Sequence, residues 1–268
     1  MMETSATVIC DSINDQGERL TTLEVTMHRF VLAEFNTHRV FSRNSASSRA
    51  IPSKKTIAKI TLNPACPIMW PAEKSGMQGG DPISPKDIEK AKEIWLQASR
   101  NAIGSANEMV SLGVHKSIVN RLLEPFMWHT VIVSSTEWDN FWGLRMNPLA
   151  QPEIAAAATL MHDAYLASRP SPLAATDWHL PYLRPEDESL PLDIKTKICA
   201  ARCARVSYLT HTGVRDIAKD LALYERLTSS TPPHASPLEH VARPCPTNTA
   251  HQHFGNFQGW DQLRHLHP

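Results

Sequence analysis

One short segment concentrates the side chains best suited to hold an anion. Residues 37–49 (THRVFSRNSASSR) contain three arginines, one histidine and five hydroxyl side chains. Arginine matches phosphate or carboxylate with a rigid fork of donors, and serine hydroxyls and backbone amides can complete the shell around the anion. Composition alone equally fits a solvated basic loop. However, the segment follows a predicted strand and helix at residues 20–27 and 28–35, and binding residues often lie where an ordered element ends.

Cysteines and histidines could also carry chemistry, but neither type forms a convincing metal site. The five cysteines are odd in number and widely spaced, so we expect reduced thiols. Cys199 and Cys203 lie four residues apart on a predicted helix, where small buried side chains are favoured over metal ligands. Four histidines near the C-terminus resemble a metal-binding tract in composition only: His251, His253, His265 and His267. No cysteine or carboxylate completes their ligand set, so we expect no bound metal.

The overall composition limits the possible partners. Lysine plus arginine and aspartate plus glutamate number 27 each, so no global field attracts polymeric nucleic acid or an anionic membrane. Any anion recognition must therefore be local. No apolar run approaches the roughly 18 residues of a membrane span, and the polar residues 1–5 do not resemble a signal peptide. We expect a cytoplasmic protein without a membrane partner.

A hairpin and a series of helices are predicted to position these side chains. Residues 7–10 and 20–25 flank Gly17 in a pattern typical of a β-hairpin. A serine N-cap and a first-turn proline predict a helix over residues 84–113. Apolar periodicity predicts further helices over residues 118–124, 139–145, 152–166, 193–208 and 214–227. Residues 130–134 fit either a strand or the start of a buried helix. The predicted fold class is α/β of the α+β type, with a small, mainly antiparallel sheet packed with several helices.

Two apolar patterns indicate buried or stacked side chains. The spacing within residues 84–113 predicts one buried helix face that includes Ile94, Trp95 and Ala106. The run Phe254–Trp260 places aromatic side chains beside glycines, which fits either stacking over a ligand ring or ordinary core packing.

Four short motifs resemble the flavin-dependent thymidylate synthases and occur in that family's order. Thr37-His38-Arg39, seven residues and then Ser47 are similar to the family's R-H-R-x7-S signature. Residues 121–125 resemble its R-x-x-L-P element, with glutamate in place of leucine. Residues 140–145 resemble a helix that ends in Leu-Arg, and residues 150–154 resemble its A-Q-x-E-I element. The resemblance implies the family's fold.

Two segments near the end of this chain resemble the family's N-terminal elements. Residues 200–208 are similar to its A-A-R-V-S-Y helix and residues 234–240 to its H-x-S-P-x-E-H element. Circular permutation is tolerated where the termini of a domain lie close together. The resemblance therefore implies one catalytic domain over residues 1–268, with three parts: a signature-motif half at 1–167, a proline-rich connection at 168–192, and a segment at 193–268 that resembles the family's N-terminal part.

The same resemblance assigns substrate-binding residues. Ser47 and Arg49 are implied to bind the phosphate or sugar side of dUMP, joined by Arg121. Arg145 is the implied catalytic residue, because a permanent guanidinium charge next to the pyrimidine would stabilise its ionised N3 and activate C5. Glu34 stands where the family has a substrate-binding glutamine. Taken singly, Arg121 and Arg145 fit ordinary surface ion pairs better than a binding site, but their shared motif context favours the site.

A second set of residues is implied to bind the cofactor FAD. His38, Arg39 and Val40 are expected to contact the flavin, Asn140 its adenine end, and His240 a position beside it. The implied reaction transfers a methylene group from methylenetetrahydrofolate to C5 of dUMP. Reduced FAD then supplies hydride and NADPH regenerates it. The family's sites form from several subunits, which implies a homotetramer.

Three departures from the family pattern leave the substrate and the product open. Thr37 replaces the first arginine of the signature, Ser45 replaces an acidic residue, and Glu34 replaces a glutamine. These changes alter charge near the expected ligands, where charge pairs matter most. A 5-hydroxymethyl-dUMP product, a dCMP substrate, or a non-catalytic nucleotide-binding homologue therefore stay open beside thymidylate synthesis.

Overall fold

A five-stranded sheet forms the centre of the protein. The computed structural model describes residues 3–213, 215–245 and 255–267. The sheet has the order β3-β4-β2-β1-β5, and every strand pair is antiparallel except β1 with β5. Its strands are β1 (Ser5–Ile13), β2 (Arg19–His28), β3 (Ser42–Ser45), β4 (Trp128–Ser135) and β5 (Ser171–Pro172). The predicted α+β class with a mainly antiparallel sheet is confirmed.

The N-terminal hairpin forms as predicted. β1 and β2 pair from Ser5 with Thr26 to Ile13 with Arg19, with an irregularity between Val8 and Cys10. Gly17 adopts φ 82° in the turn, a backbone region that favours glycine. Asn14 supports the turn, because its side-chain oxygen accepts the backbone N–H groups of Gln16 and Glu18 at 3.0 and 2.9 Å. This local hydrogen bonding fixes the register of the two strands that carry most of the sheet.

Eight helices surround the sheet within the described residues. They are α1 (Leu32–Asn36), α2 (Ser53–Leu62), α3 (Pro85–Ser111), α4 (Lys116–Val119), α5 (Asp139–Arg145), α6 (Pro152–Ala167), α7 (Leu192–Arg205) and α8 (Ile217–Thr228). A short second sheet pairs β6 (Ala242–Pro244) with β7 (Trp260–Gln262). The ambiguous residues 130–134 belong to β4. The predicted helix at 118–124 is a short α4 followed by a 3-10 segment over Asn120–Phe126, which accommodates Pro125. None of these helices is long and apolar enough to cross a bilayer.

The long helix α3 has the predicted ends but not the whole predicted face. The hydroxyl of Ser84 accepts the backbone N–H of Asp87 at 3.2 Å, and Gly113 follows the helix with φ 77°. Ala106 is buried, but Ile94 is 61% exposed, which corrects its predicted burial. The helix packs against α2 and the 3-10 segment mainly through residues after Ile94.

The sheet has one apolar face and one polar face. On the apolar face, Leu23, Val25 and Met27 of β2 are fully buried against α1, α5 and α6. On the other face, Thr22 and Glu24 alternate with them, as a strand's two-residue period requires. His179, Tyr182 and His240 form hydrogen bonds to this polar face, and Cys203 and Val206 pack on Ile132. The C-terminal part of the chain therefore meets the sheet through hydrogen bonds as well as apolar contacts.

Buried histidines make several of those hydrogen bonds. His179 lies 2.9 Å from Ser12 Oγ and 2.7 Å from Thr22 Oγ1, and His240 Nδ1 lies 2.8 Å from Ser134 Oγ. Burial lowers the pKa of both histidines to about 3, so both rings are neutral. The network ties the two parts of the chain together without burying a charge.

Helix α7 is fixed by a buried ion-pair network. Arg202, 1% exposed, donates to Asp187 at 2.5 Å and to Asp220 at 3.0 Å. Burial alone would raise the pKa of Asp187, but hydrogen bonds from Arg202 and Arg215 outweigh it and hold the pKa at about 2.

All five cysteines are free, and Cys199 and Cys203 are buried as expected of small core residues.

Candidate functional site

The segment of residues 37–49 separates two clefts. It leaves α1, forms strand β3 and ends in a turn at residues 47–50. We call the cleft of about 350 Å³ on one side the anion cleft; its lining is Arg29, Leu32, Arg43–Arg49 and Arg121. We call the cleft of about 780 Å³ on the other side the aromatic cleft; its lining includes Arg19, Thr37–Val40, Trp138–Phe141 and Tyr165.

The anion cleft brings together three of the predicted substrate residues. Ser47, Arg49 and Arg121 all line it. The loop is held in place because Ala46 N–H donates to the carbonyl of Thr130 at 2.9 Å and Ser47 N–H to that of Ser207 at 3.0 Å. Arg49 is exposed and forms no ion pair with any described residue. Its guanidinium is therefore available to a ligand.

Glu124 accepts hydrogen bonds from three side chains that line the anion cleft. Its Oε1 accepts hydrogen bonds from Ser48 Oγ at 2.6 Å, Arg121 Nη1 at 2.8 Å and Arg29 Nη2 at 3.2 Å. Arg29 also contacts His129 at 3.2 Å. Burial, followed by the charge of Arg29, lowers the pKa of His129 to about 3, so that ring is neutral.

The sequence hypothesis missed Arg29, His129 and the role of Glu124. The three-residue spacing of Arg121 and Glu124 could have indicated their pair on a helical turn. Nothing local indicates Arg29, which lies at the end of β2 and meets Glu124 from 95 positions away.

The aromatic cleft brings together four of the five predicted cofactor residues. His38, Arg39 and Val40 follow α1, and Asn140 lies on α5. The side chains of Arg39 and Asn140 are exposed, and the cleft's walls include Trp138, Phe141 and Tyr165. His240, the fifth predicted residue, does not line this cleft in the single chain, because it is fully buried beside Ser134.

Arg145 lies beside the aromatic cleft and is held by neutral acceptors. Its Nε donates to His38 Nε2 at 2.8 Å, and its Nη2 donates to Thr37 Oγ1 at 2.9 Å and to the carbonyl of Glu34 at 3.1 Å. Because a guanidinium only donates, His38 must carry its proton on Nδ1. Burial, then the charges of Arg145 and Arg43, lowers the pKa of His38 to about 4. No carboxylate of a described residue forms an ion pair with Arg145, so these contacts leave its positive charge uncompensated there.

The three departures from the family pattern have distinct surroundings. Thr37 provides the hydroxyl acceptor for Arg145, which an arginine at that position could not do. Ser45 pairs with Val131 in the sheet and lines the anion cleft. Glu34 is half-buried, lines neither cleft, and has a side-chain Oε2 without a partner among the described residues.

The C-terminal aromatic and histidine patterns have structural surroundings where they are described. Phe257 and Trp260 are fully buried, which supports core packing for that run; Phe254 lies outside the described residues. His267 lies 2.6 Å from the hydroxyl of Tyr224, and His265 lies 2.8 Å from Asp261. His251, His253 and Val214, the predicted start of α8, also lie outside the described residues. Within residues 3–213, 215–245 and 255–267, no group of three or more potential ligands could hold a metal.

A family comparison identifies this arrangement. The family model described as thymidylate synthase complementing protein matches residues 20–171, which is more than half of the chain and includes residues 37–49, which contribute to both clefts. The chain belongs to this family. Membership supports a nucleotide-methylating enzyme, which is the coarse part of the sequence hypothesis. No curated protein matches the sequence.

Solved structures share the fold at low sequence identity. The UMP/dUMP methylase PolB from Streptomyces cacaoi, bound with 5-Br dUMP, is 13% identical, with a TM-score of 0.50 over 62% of this chain and 90% of that chain. Thymidylate synthase X (ThyX) from Helicobacter pylori, with FAD and dUMP, is 16% identical over 55% of this chain and 67% of that chain, with a TM-score of 0.38. The first likeness confirms the fold class; the second is too distant to add to it.

Proposed function

We propose that this protein transfers a one-carbon unit from methylenetetrahydrofolate to C5 of dUMP and yields dTMP with FAD as cofactor and NADPH as reductant. One observation carries the proposal. Residues assigned from the sequence to the phosphate and to the flavin separate into two clefts joined by residues 37–49. Family membership supports the same chemistry.

The anion cleft is the proposed site for the nucleotide phosphate. Arg49 and the hydroxyl of Ser47 would bind the phosphate, with Arg121 beside them through the nitrogens it does not use on Glu124. Fixed guanidinium forks and hydroxyls provide charge-assisted hydrogen bonds of this kind. Glu34 would contribute through its backbone carbonyl, which accepts a hydrogen bond from Arg145, and not through a side chain in the cleft.

Arg145 is the proposed catalytic residue. Its charge is compensated by no described carboxylate, and neutral acceptors fix its direction. A preorganised cation stabilises negative charge that develops on a bound pyrimidine better than a mobile one, because no reorganisation is needed during the reaction. His38 contributes by remaining neutral at physiological pH, so it accepts from Arg145 without opposing its charge.

The aromatic cleft has a donor set that fits FAD. Trp138 is buried in the wall and Tyr165 lies beneath the guanidinium of Arg19, so the open part of the cleft is polar. There, Arg39 and Asn140 provide an exposed cation and an amide for polar parts of the cofactor. Its volume lies within the range common for cofactor sites. FAD, when bound, would supply the hydride for the reduction. His38, Arg39, Val40 and Asn140 would hold it, and His240 would act only as a buried support through Ser134.

The domain organisation is also part of the proposal. We infer that residues 193–268 supply, in permuted order, elements that precede the signature motifs in the family. Direct contacts support this: Asn44 donates to the carbonyl of Cys203 at 2.6 Å, and Ser42 Oγ donates to Glu239 at 2.9 Å. A homotetramer is proposed on the family resemblance, and light scattering of the purified protein tests it.

Spectroscopy and product analysis test the proposed function. The purified protein should bind FAD and show its visible absorption spectrum. It should then convert dUMP to dTMP with methylenetetrahydrofolate and NADPH, with mass spectrometry distinguishing methyl from hydroxymethyl products. UMP and dCMP serve as competing substrates. A protein that stays colourless with added FAD would overturn the flavoenzyme proposal and leave a non-catalytic nucleotide-binding homologue.

A further inference from the structure

The anion cleft is divided into a paired half and an unpaired half. In the paired half, Arg29 and Arg121 both donate to Glu124. In the unpaired half, Arg43 and Arg49 form no ion pair with a described residue; Arg43 donates only to the carbonyl of Phe35 at 3.3 Å. The two halves meet at the loop of residues 45–48, so one ligand can reach both.

The unpaired half matches the charge of one phosphate group. A phosphate monoester carries between one and two negative charges near neutral pH, as phosphorylated side chains do. Arg43 and Arg49 carry two positive charges, and Glu239 interacts with the charge of Arg43 without forming an ion pair with it. A single phosphate is therefore compensated there without displacing any existing ion pair. This match depends on no contribution from the paired half.

A second phosphate group would need donors that are already held by Glu124, which itself lies outside the cleft lining. Three donors of the paired half, on Ser48, Arg29 and Arg121, are already directed at the same carboxylate oxygen. Further phosphate oxygens must either take these donors from Glu124 or approach its negative charge in a partly shielded cleft. Juxtaposed like charges suppress the wrong ligand more effectively than missing contacts do.

We propose that Glu124 is a specificity-determining residue that restricts the anion cleft to monophosphates and excludes diphosphates and triphosphates. The proposal rests on the proposed nucleotide function for the identity of the nucleoside. The selection of one phosphate group by the charge of Glu124 does not depend on which nucleoside is bound. Glu124 acts as a built-in anion that occupies the donors a second phosphate would need.

Isothermal titration with matched ligands tests this role. The ligands are dUMP and dUTP, and, without a nucleoside, inorganic phosphate and pyrophosphate, at one fixed ionic strength and without divalent metal. The wild-type protein should bind dUMP at least about tenfold more tightly than dUTP, and Glu124→Gln should reduce that ratio to about threefold or less, mainly by tightening dUTP. Phosphate and pyrophosphate should change in the same way.

Two control variants separate the effect of the Glu124 carboxylate from effects on folding and on the net charge of the protein. Glu124→Asp keeps the carboxylate and should keep the preference for one phosphate group. Glu89→Gln removes the same charge from the exposed pair with Lys92 on α3, far along the chain from the cleft, and should behave like the wild type. Equal urea midpoints for Glu124→Gln and the wild type establish that the cleft remains folded.

The outcomes separate this proposal from the proposed function. If phosphate binds but dUMP does not, the nucleotide function is wrong, and the phosphate and pyrophosphate titrations alone decide the role of Glu124. An unchanged ratio in Glu124→Gln would overturn that role while leaving dUMP binding intact. A wild-type protein that binds none of the four anions would overturn both.

Discussion

The two clefts beside residues 37–49 hold their arginines in opposite ways. In the anion cleft, Arg29 and Arg121 are paired with the carboxylate of Glu124. Beside the aromatic cleft, Arg145 is held by the imidazole of His38, the hydroxyl of Thr37 and a backbone carbonyl. A charge held by a carboxylate is well placed to select ligands. A charge held by neutral acceptors keeps its full field for a reacting group.

The largest expected effect is therefore at Arg145. Arg145→Ala should lower kcat by about 10²–10³-fold, because it removes the preorganised charge that would stabilise the ionised pyrimidine. FAD should still bind, since Arg145 itself does not line the aromatic cleft. Steady-state kinetics and the flavin absorption spectrum measure the two effects separately. Arg100→Ala, an exposed change on α3 where the guanidinium contacts only Gln97, is the control. Normal turnover in Arg145→Ala would remove its assigned role.

Binding of dUMP should distinguish an unpaired arginine from a paired one. Arg49→Ala should weaken dUMP binding by about 10–100-fold, the usual cost of losing a hydrogen bond to a charged group. Arg121→Ala should weaken dUMP binding too, but by about threefold to tenfold less than Arg49→Ala does. The reason is that Arg121 already donates to Glu124. Titration calorimetry of the two variants gives the order directly. The opposite order would mean that the distinction between paired and unpaired arginines has no functional content.

Both clefts place a neutral histidine beside an arginine, and this makes the fold sensitive to acid. The pKa values are about 4 for His38 and about 3 for His129, His179 and His240. All are depressed below the unfolded value near 6.5, so the unfolded chain binds more protons below that pH. Stability should be complete above about pH 6.5 and fall as the pH drops toward 4 for His38 and toward 3 for the other three, by about 2 kcal/mol for each such histidine at pH 5.

Urea unfolding at pH 7 and pH 5 measures this loss. His38→Gln should reduce the pH dependence by the share of one histidine. If the urea midpoint is the same at pH 5 as at pH 7, these rings are protonated in the folded protein.

The smallest expected effect is at Thr37. Thr37→Val removes one acceptor from Arg145 Nη2 but leaves those from His38 and Glu34, so kcat/KM should fall about fivefold, the cost of about one hydrogen bond. Thr37→Ser keeps the hydroxyl and should retain nearly full activity. If both variants behave alike, the hydroxyl does not position Arg145.

Local signals explain what the sequence could predict of the fold. Gly17 marks the hairpin turn, and Ser84 with Pro85 marks the start of α3, because turns and caps depend on neighbouring residues. β4 was ambiguous because its residues are buried on both faces and lack alternation. The predicted burial of Ile94 was wrong, because a periodic pattern predicts which face of a helix is apolar but not how far along the helix its neighbours extend.

The candidate site divides in the same way. The short signature predicted Ser47, Arg49 and His38, and the structure places them in two clefts joined by one segment. It could not predict that Arg29, Ser48 and Glu124 meet, because these residues come from distant elements and no spacing links them. Whether the assigned residues perform the proposed roles remains a prediction that the variants above test.

The most direct test of the whole account is the absorption spectrum of the FAD-loaded protein during titration with dUMP. If the two clefts form one site, dUMP should perturb the flavin bands with a saturable dependence, and Arg49→Ala should retain the flavin but require a higher dUMP concentration. A protein that binds FAD and dUMP without any change in the flavin spectrum, or that binds no FAD, would contradict the account.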